Sequence, residues 1–390
     1  MKINYFYHII IAGSFSLMYS CGQRLENTSS FTEEFNTNNP EGSSFSLLID
    51  ENTSLFNFLN AQTVQSEGSN YLIFNNNLNS VDQYSLLSGN MDKRVVFPKE
   101  GPNSIPLMQI PYGFHYVNAD TLIFFSGLLE TLYLANLEGE VYREIELSGQ
   151  AVGFGSVGPT SPIAYKDGEV YMQTLPHIPI NIPNGYKVPF PGIAKINLLN
   201  GEYKELQLPY PKKYQNREIA QQLKMVDLVY NSKSERFIIN FPLSDELLVT
   251  DFIDSYVWIS VKSTLVSEIL ETDKSNAIVE ASKLNNMYYW MNSSYDKIIY
   301  DPIKDIYIRE ARSAISDQAY INRKLSSQRE LLILNSNFEV IKKEKYISHE
   351  MIYHFFLDDS FYWNKDIQTY NMETGVEDTL YFNQTKILKK

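Results

Sequence analysis

The sequence predicts an all-β fold: a six-bladed β-propeller of four-stranded antiparallel blades, with short helices only in inter-strand loops. Three observations carry this. Short runs rich in β-branched and aromatic residues recur in sets of four, tight-turn residues separate them, and one lone run near the start, Ser44–Ile49, has no partners of its own. Self-similar sets of antiparallel strands are the mark of radial repetition. A ring must close, because an open sheet edge is a template for unwanted pairing. Ser44–Ile49 is therefore expected to add as the outer strand beside the last sheet. The alternatives are two stacked sandwiches, or seven blades with a degenerate one hidden in residues 262–296. That segment reads as helical rather than stranded, which favours six.

The first set comprises AQTVQS, YLIFN, VDQYSL and KRVVF. The second is the clearest: GFHYV (113–117), the turn NAD, TLIFF (121–125), LYLANL (132–137), the turn EG and VYREIEL (141–147). The third copies it with PIAYK, the turn Asp167-Gly168, EVYMQ, a long loop, IAKINL, the turn Asn200-Gly201 and YKELQL. Asp-Gly and Asn-Gly signal hairpins because both residue types tolerate the positive φ that a tight turn requires. VDLVYN, RFIIN, LLVTDF and YVWISV form the fourth set, and KIIYD, IYIRE, LLILN and EVIKKEKY the fifth. MIYHFF, FYWN, IQTYNM and EDTLYF form the sixth. Gly89, Gly139, Gly201 and Gly375 all fall between third and fourth strands.

Ahead of this domain, assigned to residues 43–390, the chain has two further parts. Residues 1–20 read as a signal peptide, with Lys2 as the positive start, an apolar stretch on to Leu17, and the small Ser20 before Cys21. A small residue directly before cysteine resembles a bacterial lipobox, so Cys21 is the expected lipidation site and the acyl chains the expected membrane contact. Residues 21–42, rich in Asn, Ser, Thr and Glu, read as a flexible polar tether. Cys21 is the only cysteine, so no disulfide is expected within the chain. The formal charge of −13 argues against nucleic acid, whose phosphates demand a basic footprint, and against adsorption on anionic headgroups.

In an up-and-down blade, links from strand 2 to 3 and from each blade to the next emerge on one face. The long links, from Thr174 to Gly192, from Ala311 to Glu330, and over 209–225 and 262–296, gather there, whereas the opposite face carries tight turns. Long loops in compact domains commonly carry function. The proline-stiffened loop TLPHIPINIPNGYKVPFPG offers His177, Tyr186 and Phe190 as an aromatic recognition surface, or else forms a lid over a neighbouring blade. Arg309, Arg312 and Arg323 concentrate basic charge beside the other long loop, suited either to a carboxylate or phosphate or to plain solvent exposure.

Catalytic motifs are refused. GFGSVG (153–158) has dinucleotide-loop spacing, but prolines follow at once instead of a helix. HEMIYH (349–354) spaces its histidines by five within an expected strand, which points them to opposite faces. No G-x-S-x-G elbow is present, and acylated Cys21 is no nucleophile. No cofactor, metal or enzymatic activity is expected. A propeller hydrolase or lyase acting on a small ester or glycan is the alternative.

The lipobox-like start, the polar tether, the six four-stranded units and the blade-entry turns GPNS (101–104) and GPTS (158–161) together resemble the six-bladed propeller lipoproteins of Bacteroidota, in particular the class called domain of unknown function 4221. The resemblance implies a cell-envelope lipoprotein of unassigned activity. With it goes the expectation of a monomeric, non-catalytic binding or scaffolding propeller whose ligand is a protein, peptide or glycan. Gly22-Gln23-Arg24-Leu25-Glu26 lacks the acidic run of surface-exported members, which places the expected anchor on the periplasmic face of the outer membrane.

Overall fold

The computed structural model describes residues 45–387 apart from 54–60, 67, 77–78, 107–112, 128, 150–152, 155–162, 176–189, 216, 218, 272–285, 349–352 and 365–378. The chain opens with β1 (Phe45–Leu48) and then builds blade after blade. Blade 1 is β2 (Gln62–Ser66), β3 (Ser69–Asn76), β4 (Ser80–Ser85) and β5 (Met91–Val96), and blade 2 is β6 (Gly113–Asn118), β7 (Thr121–Ser126), β8 (Thr131–Ala135) and β9 (Val141–Glu146). After the two-residue β10 (Gly153–Phe154), blade 3 runs through β11 (Ala164–Lys166), β12 (Glu169–Leu175), β13 (Ile193–Asn197) and β14 (Tyr203–Leu206). Blade 4 is β15 (Asp227–Asn231), β16 (Arg236–Asn240), β17 (Glu246–Thr250) and β18 (Tyr256–Ser260). Blade 5 is β19 (Ser294–Asp301), β20 (Ile306–Arg312), β21 (Ser327–Leu334) and β22 (Val340–Ser348). Blade 6 takes β23 (Tyr353–Leu357), β24 (Ser360–Asn364) and β25 (Thr379–Lys386) from the C-terminal end and β1 from the other, with Phe45 opposite Phe382 and Leu47 opposite Leu380.

The molecule is thus a six-bladed propeller of four-stranded blades, closed by its own first strand as the sequence predicts. One element differs from expectation. EDTLYF supplies the third strand of blade 6 instead of a fourth, because β1 already occupies the outer position; IQTYNM and Gly375 lie outside the described residues. Residues 262–296 add no blade: their described parts are coil up to 271 and a helical stretch over 286–291 that leads into β19.

Period-two patterning explains the packing. Middle strands lie between two neighbouring blades and are apolar on both faces, as in β8, where all five residues are buried. Outer strands alternate, as in β9, where Ile145 is buried between exposed Glu144 and Glu146. The core consists of six apolar clusters, one in each junction between blades. The 6–1 junction is packed like a blade interface, with Leu47, Phe355, Leu380 and Phe382 against Leu72, Phe74 and Tyr84.

Side chains tie neighbouring blades to one another. Gln62 accepts from the Tyr116 N–H at 3.1 Å, Thr63 from Phe356 N–H at 3.4 Å, Gln173 from Val226 N–H at 3.2 Å, and Asp227 from Ile298 N–H. His115 bonds to the Ile163 backbone. Each tie satisfies an edge group that no fifth strand can reach.

A candidate binding face over blades 3 to 5

The long links gather on one face, and at the junction of blades 3 and 4 their described parts rest on an aromatic floor. Phe190 lies 4.5 Å from Tyr210 and 6.0 Å from Tyr214, and Tyr210 lies 5.2 Å from Phe241, centroid to centroid. Two short 3₁₀ turns, Lys212–Tyr214 and Gln221–Lys224, hold the link from blade 3 to blade 4 against this floor. Tyr210 donates to the Lys224 carbonyl at 2.8 Å, Tyr214 accepts from the Leu243 N–H at 2.7 Å, and the Lys224 ammonium sits 5.2 Å over the Phe190 ring. Burial raises the Tyr214 phenol well above its ordinary value, so it serves as a neutral hydrogen-bonding group.

Phe190 is thereby placed as a half-buried strut at the base of its loop. His177, Tyr186 and Cys21 lie outside the described residues.

The arginines are divided. Arg309 and Arg312 are both fully buried, but three residues apart on β20 they lie on opposite faces: Arg309 reaches across to blade 4, whereas Arg312 bonds within blade 5 and the link that leads into it. Arg309 stacks 3.4 Å from the Tyr295 ring centroid and donates to Asn240 Oδ1 at 2.8 Å, to the Asp245 and Val261 carbonyls at 3.0 and 2.7 Å, and to the Ser244 carbonyl at 2.6 Å. Loss of hydration brings its pKa down to about 10. Arg312 lies near the rings of Tyr289 and Trp290, at 4.7 and 5.1 Å, and its Nε donates to Asp296 Oδ2 at 3.1 Å. Arg309 thus staples blade 5 to blade 4, whereas Arg312 ties β20 to β19 and to the link before it. Arg323 is exposed, just after the short helix Asp317–Ile321, with φ +55°.

Sequence reasoning missed what surrounds Arg312. Arg329 Nη1 bridges Asp296 at 3.0 Å and Glu310 at 2.5 Å, and Glu310 also accepts from Tyr346 Oη at 2.6 Å. Lys297 and Asp227, both buried, interact electrostatically beside this network. The available signal was charge at matching ends of apolar strands, in IYIREAR and RELLIL. Asp296 lies against both Arg312 and Arg329, and Glu310 against Arg329, so opposite charges face each other within the network. Among the described residues no group of three or more His, Cys, Asp or Glu side chains is arranged to hold a metal. Gly153–Phe154 pairs antiparallel with Thr174 and Leu175, so the Gly-rich motif opens on a strand; its remainder lies outside the described residues.

The model of the family described as "Domain of unknown function (DUF4221)" matches residues 30–345. The chain belongs to this family. Among solved structures, it is similar to a DUF4221 member from Bacteroides vulgatus, with a TM-score of 0.68 at 18% identity over 88% of this chain and 96% of that one. It is also similar to a putative exported protein from Bacteroides fragilis, with a TM-score of 0.53 at 10% identity over 89% of this chain and 95% of that one. At such identities the likeness concerns the DUF4221 fold alone. No curated protein matches the chain.

Proposed function

We propose that this DUF4221 protein is an envelope lipoprotein, held through acylated Cys21, whose long-loop face binds a partner protein, peptide or glycan without catalysing a reaction on it. The observation that carries the reading is the state of the polar groups beneath that face. Arg309, Arg312, Arg329, Asp296 and Glu310 are committed to one another and to backbone carbonyls, which suits a rigid platform more than an acid–base pair waiting for substrate. Pre-organised aromatic support lowers the ordering cost of the loops above it, as binding surfaces require.

Two measurements test this. Metabolic labelling with a fatty acid should mark the wild type in the membrane fraction and leave Cys21→Ala unlabelled and soluble; labelled or membrane-bound Cys21→Ala removes the anchor. In-cell photo-crosslinking from residues 313–326 should yield discrete adducts that a Gly-Ser replacement of that loop abolishes. Adducts of equal yield from the short-turn face would remove the assignment of the working face.

A further inference from the structure

The outer edges of the blades are not alike. An exposed edge strand invites pairing with another chain, and proteins guard such edges with charge, above all lysine. Guards are present in Lys93 and Arg94 of β5, Arg143 and Glu144 of β9, Lys204 and Glu205 of β14, and Lys342 to Lys345 of β22. The short β1 is covered instead, its Leu48 N–H bonded to the Gly89 carbonyl of blade 1 at 2.8 Å.

Only β18, YVWIS, has neither device among these outer strands. It pairs with β17 on one side, so its alternate backbone groups point outward on the other. Both of its faces bear accessible apolar side chains: Tyr256 is 48% exposed, Val257 53% and Trp258 36%. Beside it runs an uncharged groove of about 420 Å³, lined by Gln207, Leu208, Pro209, Tyr256 and Trp258.

We propose that β18 is a strand-addition site for an extended segment of a partner protein, one with apolar side chains at alternate positions and neutral or basic residues between them. Main-chain hydrogen bonds to β18 would supply affinity, and every second side chain would enter the groove between blades 3 and 4. Apolar side chains on both faces of β18 fit continuation of the sheet, which uses both, more than a ligand stacked on one. Charge selects the partner over a second copy, since two chains of −13 each repel. The groove adjoins the long-loop face, since Pro209 opens the link over 209–225 and the Trp258 ring lies 5.7 Å from Phe241 of its floor, but the inference needs only the edge of β18.

The probe is an array of eight-residue peptides with apolar residues at alternate positions and Lys, Ser or Thr between, read by fluorescence anisotropy against the full mature chain. Wild type should bind a subset. Val257→Lys, which installs the missing guard at an exposed position, should weaken binding at least tenfold with an unchanged melting temperature, while Val257→Thr should retain it. N-methylation of the peptide on alternate amides should abolish binding in one register and spare it in the other. Failure of every peptide to bind, or binding indifferent to Val257→Lys and to N-methylation, overturns the proposal. Concentration-dependent dimerisation abolished by Val257→Lys assigns the edge to a second copy and overturns it equally. So does an oligosaccharide that competes only through Trp258.

Discussion

Asp227 shows how burial, more than residue type, decides what a charged side chain does. Its carboxyl is enclosed where blades 4 and 5 meet, and loss of hydration raises its pKa to about 7 against the opposing pull of the Ile298 N–H and Lys297. The unfolded chain releases the proton near the ordinary 3.8, whereas the fold keeps it to about 7. The fold therefore binds more protons within that window, and this contribution to stability, complete below the lower value, is lost as pH rises to the upper one. In Asp227→Asn that dependence disappears. The unfolding free energy of the variant relative to wild type should rise by about 2 to 4 kcal/mol between pH 4 and pH 8, whatever the offset at pH 4. Urea titrations at a series of pH values check this, and a difference that stays flat refutes it. His115, brought down to about 4 by burial, acts in the opposite sense but is common to both proteins and cancels in the difference. The same principle limited what could be read beforehand. Arg309 and Arg312 stand out as basic residues near a loop, but their partners Asn240 and Asp296 lie on other strands, so the inward aim of both guanidinium groups has no local signature.

At the scale of elements, the turns were the most legible features, because the demand for positive φ is local. Gly89, Gly139 and Gly201 have φ of +75°, +86° and +73°, as their turn positions require. What Gly89 does beyond its own turn was hidden. It abuts the closing strand, and a methyl group placed on it would lie 2.2 Å from the Ser46 carbonyl oxygen. Gly168, with φ +80°, has open space around the same position. The pair separates conformational strain from contact. Gly168→Ala should cost about 1 kcal/mol, the penalty of a left-handed alanine. Gly89→Ala adds to that the displacement of β1 from β25 and should cost roughly 3 kcal/mol or more. Equal losses in parallel urea unfolding would mean that β1 yields freely. Structure argues otherwise, since Arg94 clips the chain just past β1 by bonding both Asp50, at 2.9 Å, and Asp82, at 2.8 Å. Arg94 in turn helps hold the Asp50 carboxyl below its ordinary range.

For the whole molecule, closure is the property that the N-terminal run made visible in advance: a strand without local partners in a chain of four-strand sets has to complete a sheet elsewhere. The blade-6 reading counted four local strands and then set Ser44–Ile49 beside them, one strand more than the blade holds, which moved EDTLYF from third place to fourth. Closure also makes a prediction that no single blade could. Deleting residues 1–43 leaves β1 intact, whereas deleting 1–49 removes buried Leu47, strips the Phe45 ring from Phe355, Tyr362 and Phe382, and bares the edge of β25. Burial of a leucine and an aromatic side chain, together with their strand hydrogen bonds, amounts to several kcal/mol, a large share of the marginal stability of a domain. The shorter deletion should therefore melt like the mature chain, and the longer one should melt well below it and self-associate through its open edge in light scattering. A peptide of residues 43–49 added in trans should restore both monomeric behaviour and melting temperature, because it resupplies β1 while Asp50, retained in the shortened chain, keeps its contact with Arg94. If the longer deletion instead remains monomeric with an unchanged melting temperature, then the contacts between neighbouring blades suffice to hold the ring, and the first strand decorates the sixth blade without securing it.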